Sequence, residues 1–140
     1  MIGRLPLAEL ARREVLALHE FFVAWFRQDA AAVDFGECEV AFAVDFRMIT
    51  PDGMVNDRAA VLRRLRQARN SQRPDFSIII SGIEPLWLQQ DAVLLGYVEE
   101  QYRSGLATRR RSTALFTAEP SAPRGVVWRH LQETWMPVAD

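Results

Sequence analysis

Two histidines, His19 and His130, are the side chains best suited to move a proton near neutral pH. His130 lies in the segment Trp128-Arg129-His130-Leu131-Gln132-Glu133-Thr134-Trp135, which also holds two of the chain's four tryptophans. The segment reads as a strand, and a strand sends alternate side chains to opposite faces. One face then carries Trp128, His130, Gln132 and Thr134, and the other carries Arg129, Leu131, Glu133 and Trp135. Both faces mix aromatic and polar groups, so one is expected to line a pocket and the other to meet a partner subunit. His130 is a candidate general base, with a reference pKa of ~6.5. A histidine tied into internal hydrogen bonds is the alternative. His19 reads as a partly exposed histidine on a helix surface.

The neighbouring strand decides what surrounds His130. Simple antiparallel pairing of Thr108–Ala118 with Val126–Pro137 sets Ala114 beside His130, Ser112 beside Gln132 and Phe116 beside Trp128. Small residues there leave room for a ligand. The same register sets Arg111 against Glu133, an ion pair of structural character worth ~0.2–1 kcal/mol if exposed. Glu99 and Glu100 are adjacent on a strand and point to opposite faces, so they form no catalytic dyad. The single cysteine, Cys38, excludes an intramolecular disulfide and reads as a buried structural thiol. Two isolated histidines without ligand-spaced carboxylates point to no metal and no cofactor.

These residues need a scaffold. Residues 7–28 read as a helix, with Leu7, Ala11, Val15, Leu18, Phe22 and Trp25 on one stripe. Residues 29–44 read as broken helix, including a short helix Glu37–Val44 with Val40, Ala41 and Val44 inward. Asp45–Thr50 alternates as a strand, Pro51-Asp52-Gly53 turns the chain, and Met54–Asn56 returns. Asp57 is an N-cap for a helix over 58–70. Strands follow at Phe76–Glu84, Ala92–Arg103, Thr108–Ala118 and Val126–Pro137, with Pro85 marking a bend or an edge before Leu86-Trp87-Leu88. Helices first and long antiparallel strands after imply α+β, with helices on one face of a curved sheet.

At 140 residues the chain fits one domain spanning 1–140. All 17 basic residues are arginine, so lysine chemistry is excluded, and a net charge of −1 gives no field for nucleic acid. The arginines of helix 58–70 read as a solvated face. The start, Met1–Pro6, has no apolar signal core, and no stretch reaches the ~20 apolar residues of a membrane span. A soluble, cytoplasmic protein is expected.

The element order resembles the nuclear transport factor 2-like superfamily, and within it SnoaL-like and related bacterial domains of unknown function. The resemblance rests on Phe21-Phe22-Val23-Ala24-Trp25-Phe26, Asp45-Phe46-Arg47-Met48-Ile49-Thr50-Pro51-Asp52-Gly53, Arg111-Ser112-Thr113-Ala114 and the terminal Trp128–Trp135 strand. It implies a cystatin-like cone: a strongly curved, mixed or antiparallel sheet wrapped around a long N-terminal helix, often dimeric through the sheet's outer face. Ketosteroid isomerases of this superfamily place an aspartate where Thr50 stands, and a threonine is no general base near neutral pH. Epoxide hydrolases place an aspartate two residues after a tryptophan of the final strand, where His130 stands. The resemblance thus points His130 into the cone, with a ligand pocket formed by Trp25, Phe46, Tyr97, Ser112, Ala114, Trp128, His130 and Gln132.

Three functions fit. The first is a small-molecule-binding or accessory domain with an apolar pocket. The second is an enzyme on a small apolar substrate with His130 as base. The third is a dimeric assembly module with a filled cone. A cavity of roughly 300 Å³ or more with His130 at its wall favours the first two, and a solid cone the third.

Overall fold

In the computed structural model, which describes residues 5–27 and 33–137, the apolar stripe of the first helix lies against a sheet. That helix, α1 (Leu7–Phe26), buries Ala11, Val15, Leu18 and Trp25. Full burial of a large apolar side chain stabilises by roughly 1.5–3 kcal/mol, so this stripe supplies much of the core. The chain turns extended at Arg27, where Arg27 bridges Gln72 and its Nε donates to the Phe76 carbonyl at 2.8 Å. Residue 28 of the expected first helix and residues 29–32 of the expected broken helix lie outside the described residues.

The short helix α2 (Gly36–Glu39) leads into β1 (Phe42–Ile49). The expected helix over 37–44 is therefore wrong in its second half. Phe42 pairs with Trp128, and that pairing overrides local propensity. Of the three residues expected inward, only Ala41 is buried, and Val44 is 90% exposed. After the Pro51–Gly53 turn, β2 (Val55–Asp57) returns antiparallel to β1. Helix α3 (Arg58–Gln67) follows, and the Ala60 amide donates to the Asp57 carboxylate at 2.9 Å. Asp57→Ala should cost about 1 kcal/mol, read as a lower urea midpoint at unchanged slope.

Four long strands complete the fold: β3 (Ser77–Leu88), β4 (Ala92–Arg103), β5 (Leu106–Ala118) and β6 (Val126–Trp135). β3 runs through Pro85, with irregularities on both sides, and it is an edge strand of the sheet, the second of the two readings of Pro85. The order across the sheet is β2-β1-β6-β5-β4-β3, and only β1–β6 is parallel. The sheet is curved and unclosed, and α1 covers its inner face.

One irregularity decides which side chains that inner face carries. Phe116 pairs with Trp128 as expected, but Leu115 pairs with His130, leaving Arg129 as an extra residue. This is a β-bulge. Arg129 is held outward, its Nη1 donating to Asp45 at 2.6 Å and its Nε to the Thr117 hydroxyl at 2.9 Å. Beyond the bulge every partner is displaced by one: Ala114–Leu131, Ser112–Glu133, Arg111–Thr134 and Arg110–Trp135. A one-residue slip exchanges the faces of a strand. Leu131 and Glu133 therefore join Trp128 on the inner face, and His130 and Gln132 turn to the outer face.

Candidate functional site

The inner face is a set of rows running across β4, β5 and β6. The first two are Val93–Phe116–Trp128 and Leu95–Ala114–Leu131, both apolar and buried. The next are Tyr97–Ser112–Glu133 and Glu99–Arg110–Trp135. The face thus changes from hydrocarbon to ionic along the strands.

Aromatic packing builds the apolar end. The Phe116 and Trp128 rings lie 4.5 Å apart and the Phe42 and Phe46 rings 4.7 Å apart. The Trp128 ring is fixed by its Nε1, which donates to Glu14 Oε2 at 2.8 Å. Glu14 Oε1 accepts from Arg124 Nε at 2.8 Å, and Arg124 reaches Glu37 with Nη1 at 2.8 Å. This network fastens the β5–β6 connection to α1 and α2. Burial pushes Glu14 above its ordinary pKa, against the hydrogen bond from Trp128 and the charge of Arg124.

Two ion pairs form the polar end. His19 is 6% exposed, and its Nδ1 lies 2.7 Å from the Val15 carbonyl and its Nε2 3.1 Å from Glu99 Oε1. Both partners accept, so both ring nitrogens donate and the ring is an imidazolium. Burial alone would lower its pKa, but Glu99's charge and hydrogen bond, with the Val15 carbonyl, raise it. Glu99 responds in kind: burial would raise it, yet the His19 charge brings it down to about 2. Its second oxygen accepts from Gln101 Nε2 at 2.6 Å, and Gln101 Oε1 accepts from Arg103 Nη2 at 2.8 Å. The second pair is Arg110 Nη1 to Glu133 Oε1 at 3.1 Å, with Ser112 Oγ donating to Glu133 Oε2 at 3.4 Å. Burial and the Glu99 charge raise Glu133 against the pull of Arg110. The expected pair, Arg111 with Glu133, is not formed, because the bulge turns Glu133 to the inner face, where Arg110 stands.

Between α1 and these rows lies a hollow of about 150 Å³. Phe22, Phe42, Phe46, Met48, Trp128 and Leu131 form much of its wall. His19, Glu99, Gln101, Arg110 and Glu133 close its polar end. The volume is half the threshold named for a drug-sized site, and it matches a benzene-sized occupant.

The expected pocket residues divide into three groups. Phe46 and Trp128 line the hollow. Tyr97, Ser112 and Ala114 are buried on the inner face behind it. Trp25, His130 and Gln132 lie elsewhere. Trp25 packs between α1 and α3, its Nε1 donating to the Leu65 carbonyl at 2.6 Å and its ring stacked on Phe21. Half-buried His130 and exposed Gln132 are on the outer face, where Gln132 borders a shallow depression with Arg111, Thr113 and Thr134. His130 thus has no place as a base inside the cone.

Sequence reasoning placed none of His19, Glu99, Gln101, Arg110 and Glu133 in the pocket: it read His19, which is buried, as a partly exposed surface histidine and paired Glu133 with Arg111. The signal for Glu99 and Gln101 was present: Val93, Leu95 and Tyr97 set the inward parity of β4, and the next two inward positions are 99 and 101. His19 lies one residue after Leu18 on the apolar stripe, and its burial depends on an acid that no local pattern pairs with it.

Among the described residues no cluster of three His, Cys, Asp or Glu side chains could hold a metal. Cys38 is buried, and burial with nearby Glu14 and Glu39 pushes its thiol up to about 12. It should resist an aromatic disulfide reagent at pH 7 until denaturant is added, read as thiolate released over time.

No family model and no curated protein matches the sequence. Solved structures do. An NTF-2-like protein of unknown function from Pseudomonas aeruginosa is 30% identical, covers 91% of this chain and 99% of its own, and superposes with a TM-score of 0.82. The CaMKII hub of S. rosetta is 9% identical over 96% of this chain and 100% of its own, TM-score 0.77. An uncharacterised protein with a cystatin-like fold from Caulobacter vibrioides is 13% identical over 92% of this chain and 89% of its own, TM-score 0.67.

Proposed function

Because the chain belongs to the nuclear transport factor 2-like family, we propose that it binds a small, largely apolar molecule in the hollow between α1 and the inner sheet face. The observation that carries this reading is the aromatic-walled space of about 150 Å³ beside an ionic row. Side chains fill the rest of the core, so a retained hollow beside buried charges is a feature to be explained. An occupant about the size of benzene fits. Acid–base chemistry in the hollow would fall to Glu133, which lines it and whose pKa burial raises, since His130 faces out. Native mass spectrometry of protein purified without denaturant tests the reading. A small-molecule adduct present in the wild type and lost in Leu131→Phe supports it. No adduct, and no shift in Tm with saturating toluene, overturns it.

A second reading concerns the outer face, and it adds to the first. Trp87 pairs with Leu94, and Leu94 with Leu115, forming an apolar band on that side. Trp87, Leu86 and Ile79 are about half exposed. Gly96 leaves room for Leu86, since a Cβ there would meet Leu86 Cδ1 at 3.0 Å. This band suits a homodimer through the outer face, and the similarity to a protein described as a hub supports self-association. Trp87→Glu should shift the sedimentation coefficient from dimer to monomer; an unchanged coefficient refutes the interface. Bacterial origin and a cytoplasmic setting complete the reading, the first supported by the source of the 30% identical relative. Among the described residues no helix is long and apolar enough to cross a membrane.

A further inference from the structure

We infer that the arginine face of α3 is a docking surface for an acidic polypeptide segment of another protein. Six arginines, Arg58, Arg63, Arg64, Arg66, Arg69 and Arg73, fall within residues 58–73, and no acid does. The rest of the chain then holds 11 arginines against 18 acids, a net charge of −7. A protein that is nearly neutral as a whole thus gathers its positive charge on one helix and the turn after it.

What separates this face from a merely solvated one is how its guanidinium groups are held. Arg58 donates from Nε to the Phe42 carbonyl at 3.2 Å and from Nη2 to the Glu39 carbonyl at 2.7 Å. Arg66 Cζ lies 4.9 Å from the centroid of the Phe35 ring, and Arg69 Cζ 5.2 Å from that of Trp25. Arg66 Nη2 also donates to Glu39 Oε1 at 2.6 Å. Stacking on a ring fixes the plane of a guanidinium and leaves its edge of N–H donors open, so less side-chain freedom is lost on binding. Arg63, Arg64 and Arg73 are exposed, and among the described residues none of them makes a side-chain hydrogen bond or an ion pair. Glu39, Arg58, Leu62, Arg63 and Arg66 line a shallow depression between α2 and α3.

The chemistry of the face selects its partner. A carboxylate matches the guanidinium edge, and Glu39 already holds one carboxylate there while using one donor of Arg66. Nucleic acid fits less well. It gains from open aromatic rings on which bases stack, and here the Phe35 and Trp25 rings lie under Arg66 and Arg69. A long polyanion that ran past the face would also meet the −7 of the remaining chain. A second copy fits least, because across a two-fold axis the same arginines would oppose each other. Val61 and Leu65 of α3 line the hollow, so α3 sits on the inner side of the sheet, and its arginine face stays open in a dimer joined through the outer face.

The test is fluorescence anisotropy at neutral pH and about 0.05 M salt, where screening is weak, with a labelled peptide of about twelve glutamates and a labelled oligothymidylate of the same length. The peptide should bind the wild type about tenfold tighter than the oligonucleotide does. In Arg66→Gln/Arg69→Gln its affinity should fall about tenfold, the worth of two ordinary charge pairs. Arg63→Gln/Arg64→Gln breaks no side-chain bond among the described residues; it should weaken the peptide about threefold at unchanged Tm. Arg12→Gln/Arg13→Gln makes the same change of net charge on α1 and should leave the affinity within about twofold. Equal losses in all three variants would make the effect one of net charge and overturn the inference. Undiminished affinity in Arg63→Gln/Arg64→Gln, or no binding of the peptide to the wild type, overturns it as well. Tighter binding of the oligonucleotide makes the face a nucleic-acid surface and overturns it. A sedimentation coefficient of the free protein that falls in Arg63→Gln/Arg64→Gln puts a second copy on the face, which also overturns it.

Discussion

Replacing His19 with leucine should cost roughly 3–5 kcal/mol of folding stability, because it strands the Glu99 carboxylate in the interior. Glu99 would keep only Gln101 as a donor, and Arg110, though one strand away, is bonded to Glu133. Adding Glu99→Leu to His19→Leu should recover most of the loss, since a buried ion pair and a matched apolar pair often differ little in net stability. Denaturant titration of the two single variants and the double variant measures this coupling. A double variant no more stable than its singles would mean that the pair is not self-contained.

The same pair sets how stability varies with pH. Glu99 has a folded pKa of about 2, below its ordinary 4.5, so its contribution is full above 4.5 and is lost as pH falls from there toward 2. His19 is raised above 6.5, so its contribution is full below 6.5 and is lost as pH rises through the folded value. Glu14 and Glu133, both raised, act in the opposite sense, and mild acidification relieves the cost of keeping them ionised. Tm should therefore fall on the alkaline side of 6.5 in the wild type, and that limb should flatten in His19→Leu.

Glu14→Ala should be as damaging, again roughly 3–5 kcal/mol, and for a different reason. The carboxylate is fully buried and accepts from Trp128 Nε1 and Arg124 Nε. Its loss leaves a buried indole N–H unpaired, costing ~1–3 kcal/mol, and frees the Arg124 connection from α1. Trp128 is also a wall of the hollow. The near-ultraviolet circular dichroism of the folded variant should therefore change, and toluene should raise its Tm less than it does for wild type. Glu14→Gln keeps one acceptor for Trp128 and should lie between the two.

How much of this was legible follows from the physics of each element. The α1 stripe, the Asp57 cap and the four long strands carry periodic or local signals, and the structure places them close to where those signals point. The start of β1 was hidden, because residues 42–44 become strand only through long-range pairing with β6. The site was hidden for a narrower reason. Its residues were present in the sequence, and the pairing of Phe116 with Trp128 was read correctly. The bulge at Arg129 depends on Asp45 and Thr117, which are remote in sequence, and nothing within β6 announces it. That one extra residue moved His130 and Gln132 out and brought Leu131 and Glu133 in. Parity along a strand is readable, but it holds only up to the next bulge.

A crystal of the protein soaked in bromobenzene tests the account most directly. Anomalous bromine density should appear inside the curved sheet, within van der Waals reach of Phe46, Trp128 and Leu131. An empty interior at full soak, or bromine only on the far side of the sheet near His130 and Gln132, contradicts it.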